Sequence, residues 1–77
     1  MKAAALLSLP WPLTAREVEV MLHWRAHGRL KAVAREMQIT PETVDWHVRR
    51  VRRKLGEPNN TRALVAFVEA LPKGIRP

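Results

Sequence analysis

Apolar residues return at helical spacing in four separate stretches of the chain. The first opens with a strong start signal. Thr14 can cap, Glu17 stands three residues on as its reciprocal partner, and Leu13 can staple onto Val18. Glu17 and Glu19 suit the positive end of a helix dipole. The spacing predicts a helix over 15–27, stopped by Gly28, with Val20, Met21 and Trp24 in the core. Trp24 is expected at the centre of that core, and Arg16, Glu19 and His23 are expected to face mostly outward. The second stretch is shorter. Leu30, Val33, Ala34 and Met37 fall at i, i+3, i+4 and i+7 and predict a helix over 30–37, with Ala34 small enough to let another helix cross closely. Gln38 and Ile39 form the tight connection that follows, Ile39 serving as an apolar plug.

The third stretch is the most sharply two-faced. Thr40 can cap it, Pro41 suits the first helical position, and Gly56 followed by Pro58 ends it. Val44, Val48, Val51 and Leu55 make one apolar stripe of a helix over 41–55, while Asp45, Trp46, Arg49, Arg50 and Arg53 occupy the opposite face. A short helix, a tight turn and a longer basic helix follow the helix-turn-helix plan. After a turn over 57–60, Asn59 or Asn60 can cap a last helix of about 61–71, ended by Pro72. Ala63, Leu64, Phe67 and Leu71 form its core stripe, but Val65, Ala66 and Val68 make it apolar on a second side as well. Such a second stripe is either a dimer surface or a face covered by the N-terminal segment.

These elements define an all-α domain over 13–71, preceded by an arm over 1–12 and followed by a tail over 72–77. The arm ends in Pro10-Trp11-Pro12, which cannot continue a helix, although residues 3–7 have room for one helical turn. Trp11 is expected to lie on the core as a plug, and the tail to be mobile.

Charge changes this picture from a small helical domain into a polyanion binder. Fourteen Lys and Arg stand against seven Asp and Glu, a formal +7. Five of the fourteen lie between Arg49 and Lys54, so the charge is focused on the third helix. Nucleic acid is the commonest polyanion. An anionic membrane is the rival, but the arginine-rich helix lacks a Leu, Phe and Trp face for insertion. No apolar run approaches the roughly 20 residues of a membrane span. The opening resembles a clipped signal peptide but is short and lacks a convincing cleavage site. The absence of cysteine fits a reducing cytoplasm, the expected location. His23 and His27 lack Cys or acidic neighbours at ligand spacing, so neither a metal nor a cofactor is expected. No nucleophile–base pair, carboxylate cluster or glycine-rich phosphate loop suggests an enzyme.

From Leu13 onward the chain resembles the LuxR/GerE-type DNA-binding domain. The first helix opens Leu13-Thr14-x-Arg16-Glu17-x-Glu19-Val20. The resemblance continues through Val33-Ala34-x-x-Met37-x-Ile39-Thr40-x-x-Thr43-Val44-x-x-His47, then Val51-x-x-Lys54-Leu55-Gly56, then Asn59. It runs to about Leu71 without a gap, and the joint order and spacing are specific. The resemblance implies a four-helix helix-turn-helix fold of the winged-helix-like superfamily without a wing. The third helix would lie in the major groove and the fourth would mediate dimer contact. Several positions depart from the family pattern. The glycine ending the first helix is Gly28, one residue later than usual, and Arg29 replaces the usual Ser or Thr cap of the second helix. Gln38 stands where glycine is common, Asp45 where lysine is usual, and Asn60 where arginine is frequent.

The resemblance puts Asp45, Trp46 and Arg49 at the positions that touch base edges. Arg49 can donate two hydrogen bonds to guanine O6 and N7. Asp45 can accept from cytosine N4, steer Arg49 four residues on, or form only a solvated ion pair with it. Trp46 offers an apolar surface to a thymine methyl or a sugar, or packs between helices. Arg50, Arg53 and Lys54 would neutralise phosphates, with Arg29, Lys31 and Thr40 contributing from the second helix and the turn. Arg52 is expected to point away, and Thr43 and His47 to pack or bond within the domain. The expected dimer interface is Arg62, Val65, Ala66, Val68 and Glu69. The expected function is therefore a sequence-specific transcriptional regulator, a homodimer on double-stranded DNA. The alternative is an interaction module that pairs with a larger regulator or with RNA polymerase. No receiver or small-molecule domain is present, so control falls to abundance or a partner, unless the chain is part of a longer regulator.

Overall fold

The computed structural model describes residues 9–71, and the helical turn expected over 3–7 and the tail over 72–77 lie outside them. Four helices follow in order, with no strand among the described residues: α1 (Ala15–His27), α2 (Leu30–Met37), α3 (Pro41–Leu55) and α4 (Asn60–Ala70). Local chemistry sets most of their ends. At α1 the Thr14 side chain accepts from the Glu17 backbone N–H while Glu17 accepts from that of Thr14, a closed capping box. Thr40 caps α3 by accepting from the Thr43 N–H, with Pro41 at the first position. Asn59, rather than Asn60, caps α4 through the Arg62 N–H, so that helix begins one residue before the expected start. Leu71 closes it with an extended backbone and lies one residue past its end.

Gly28 and Gly56 end α1 and α3 in the left-handed conformation. Gln38 ends α2 in the same conformation, at φ 57° and ψ 43°. There the Ile39 N–H reaches back five residues to the Ala34 carbonyl at 3.0 Å, and at Gly56 the Glu57 N–H does the same to Arg52 at 3.2 Å. Both are Schellman closures, which satisfy carbonyls that the helix leaves over.

The core has two halves, and α3 runs through both. Val44 and Val48 are fully buried with Val20 of α1 and with Val33, Ala34 and Met37 of α2. One turn further along α3, Val51 joins Met21, Phe67, Leu71 and Leu9. Trp24 is half-buried and touches both halves, so it joins the core rather than forming its centre; Val20 and Met21 are the fully buried apolar residues of α1. Trp11 and Leu13 pack against the second half, as the plug and the staple require. Because α3 spends its whole apolar stripe on this core, the opposite stripe is left on the surface.

Candidate nucleic-acid interface

Along the outer face of α3, Trp46, Arg49, Arg50 and Arg53 are exposed, with Asp45 half-exposed among them. Trp46 keeps 52% of its surface open, the largest exposed apolar side chain among the described residues. Two pairs at i, i+4 organise this face. Arg49 Nη2 lies 2.7 Å from Asp45 Oδ2, the i, i+4 ion pair that the sequence spacing allows. The Arg50 guanidinium carbon lies 4.8 Å from the centre of the Trp46 ring, a cation–π contact. His47 meets the edge of the same ring at 5.1 Å and 72°. The indole is thus held on one face and at one edge.

Beneath this surface sits a carboxylate whose second role was missed in the sequence. Glu17 is 2% exposed, although it stands in the first turn of α1. Its Oε1 accepts from Lys54 Nζ at 2.7 Å and from the Thr14 N–H at 2.9 Å, and its Oε2 accepts from Arg50 Nε at 3.4 Å. Burial raises the Glu17 pKa, but the bonds from Lys54, Thr14 and Arg50 and the charge of Lys54 outweigh it and hold the carboxyl below its ordinary value. Lys54 also donates to the Pro12 carbonyl at 3.1 Å. It therefore clamps α3 to the start of α1 and to the arm, and of its three N–H donors one is left for an outside acceptor.

Arg50, Arg53 and Lys54 line a shallow depression of about 180 Å³. The other three residues expected to meet phosphates lie outside its lining: Arg29 and Lys31 are exposed at the start of α2, and Thr40 at the start of α3. Arg29 occupies the cap position of α2 and makes no side-chain cap bond. The Thr40 hydroxyl is also engaged by that of Thr43 at 2.8 Å, which keeps Thr43 within the domain as expected. His47 is half-buried, and its Nδ1 is a buried atom without a hydrogen-bond partner. Burial, with the Arg16 and Arg50 charges adding to it against Glu17, pushes its pKa down and favours the neutral imidazole.

On α4, Val65 is 44% exposed, flanked by exposed Arg62 and Glu69. Arg62 lies 3.9 Å from Glu57. Ala66 and Val68 are half-buried, and Val68 packs against the core half that holds Leu9. The second apolar side of α4 is therefore partly covered by the domain itself. Elsewhere, His23 and His27 stack at 6.1 Å with their planes 8° apart, and His23 is half-buried. Among the described residues no group of three His, Cys, Asp or Glu side chains could hold a metal ion, and no helix is long and apolar enough to cross a membrane.

A short helix and a tight turn that deliver a basic helix with its polar stripe outward define a helix-turn-helix DNA-binding module. The chain matches the family described as bacterial regulatory proteins, luxR family (GerE), over residues 11–67, and it belongs to that family. It is thus a DNA-binding helix-turn-helix regulator. Comparison with curated proteins gives no match, and comparison with solved structures gives none either.

Proposed function

We propose that this protein is a cytoplasmic, sequence-specific transcriptional regulator that lays α3 in the major groove and binds an inverted repeat as a homodimer. The observation that carries the reading is the outer stripe of α3. Asp45, Trp46 and Arg49 stand together on the surface of a helix whose other stripe, Val44, Val48 and Val51, is fully buried. Base edges are read by Arg49 on guanine O6 and N7 and by Asp45 on cytosine N4, with Trp46 in apolar contact. Arg29, Lys31, Thr40, Arg50 and Arg53 meet phosphates, which set register without reading sequence. Lys54 adds one donor from behind while it holds Glu17.

Two copies joined through Arg62, Val65, Ala66, Val68 and Glu69 would place two such helices on half-sites about one turn, or ~34 Å, apart. Neutralised phosphates release counterions, so affinity should fall with salt at a log–log slope of about −0.9 for each phosphate met. Selection of genomic fragments by the purified protein, with sedimentation of the complex, tests this reading. An inverted repeat bound by two copies supports it. A folded protein without DNA preference, which instead pairs with a larger regulator or with RNA polymerase, contradicts it.

A further inference from the structure

The orientation of the Trp46 side chain is fixed from two sides. Arg50 covers one face of its ring at 4.8 Å, and Arg50 is itself held by Glu17 at 3.4 Å, a carboxylate only 2% exposed. His47 abuts the ring edge at 5.1 Å. The remaining indole surface is the open part of a residue that is 52% exposed. Its neighbours Asp45 and Arg49 satisfy part of each other at 2.7 Å and retain polar atoms for base edges. The open ring face has no such capacity. Among the groups that base pairs display in the major groove, only the C5 methyl of thymine is apolar.

From this arrangement we infer that Trp46 determines specificity by burying one thymine methyl in each half-site. The inference rests on the groove-reading role proposed above and adds the chemical group that the indole recognises. Glu17 and Arg50 are positioning residues for it: they hold the ring in one orientation before DNA arrives, so little freedom is lost on binding. Burying one methyl is worth about fourfold in affinity.

The experiment replaces each thymidine of the selected site in turn by deoxyuridine, which deletes one methyl and leaves the hydrogen-bonding groups of the base pair unchanged. At one position in each half-site the wild-type protein should lose about fourfold. At that position Trp46→Ala should bind thymine and uracil duplexes equally. Trp46→Leu keeps apolar bulk and should keep part of the difference; it also serves if the alanine variant fails to fold, as judged by circular dichroism. A site at which no thymine-to-uracil change matters, or at which Trp46→Ala shows the wild-type loss, overturns the inference alone. Absence of any preferred site in the wild-type protein overturns the groove-reading role and the inference with it.

Discussion

Gln38 is the only non-glycine residue at positive φ among the described residues, and the turn between α2 and α3 depends on it. An L side chain in this region costs about 1–2 kcal/mol, and glycine avoids that cost at the expense of a more disordered unfolded chain. Gln38→Gly should therefore raise stability by about 0.5–1 kcal/mol in urea denaturation. An unchanged or lower midpoint would show that the Gln38 side chain supports the turn in some other way. Glu17 acts in the opposite sense, as a buried charge that its partners make favourable. Glu17→Gln leaves Lys54 and Arg50 facing a neutral amide and should destabilise the fold by about 2 kcal/mol at neutral pH. The pH dependence follows from its lowered pKa. The contribution of Glu17 is complete above its unfolded value of about 4.5 and is lost as pH falls through the lower folded value. The Gln variant should therefore lose less stability than wild type below about pH 4.5. His47, also lowered, adds a loss that begins as pH falls below about 6.5, because the unfolded chain takes up the proton first.

At the scale of elements, α2 is the helix with the weakest start. It has eight residues, and Arg29 stands at its cap without a side-chain bond. Arg29→Ser should stabilise the domain by about 1 kcal/mol. By removing the proposed phosphate contact, the same change should lower the salt slope of DNA binding by about 0.9. Gain of stability without any change in slope would mean that α2 does not approach the backbone. The bounds of α1 and α3 were legible because each is marked by a local cap and an apolar period, and those of α2 from its apolar period alone. The start of α4 was ambiguous by one residue because two asparagines compete for the cap, and only the backbone geometry selects Asn59. The outer stripe of α3 was legible in the same local way, down to the Asp45–Arg49 pair. Contacts between distant segments were not. Lys54 and Arg50 reach Glu17 across 37 and 33 residues, and no spacing rule connects them. Nor did the sequence show that Trp24 would lie between two core halves or that Val68 would be partly covered.

For the whole molecule, the excess of positive charge explains attraction to DNA but not selection of a site. A +7 surface would give salt-sensitive binding to any duplex. Selection needs base contacts, and the proposed second copy would double them. Val65→Glu places a charge on the exposed part of α4, where the change should cost the monomer no more than about 0.5 kcal/mol. Sedimentation on DNA should then show a monomer in place of the proposed wild-type dimer; a dimer that survives would place the interface elsewhere. The central claim, that α3 reads bases through Arg49, is tested most directly by competition binding of Arg49→Ala between the selected site and a random duplex at fixed salt. Loss of a bidentate guanine contact should cost about 1–3 kcal/mol on the selected site and leave the random duplex nearly unaffected. An equal loss on both duplexes would make Arg49 a phosphate clamp and contradict the account.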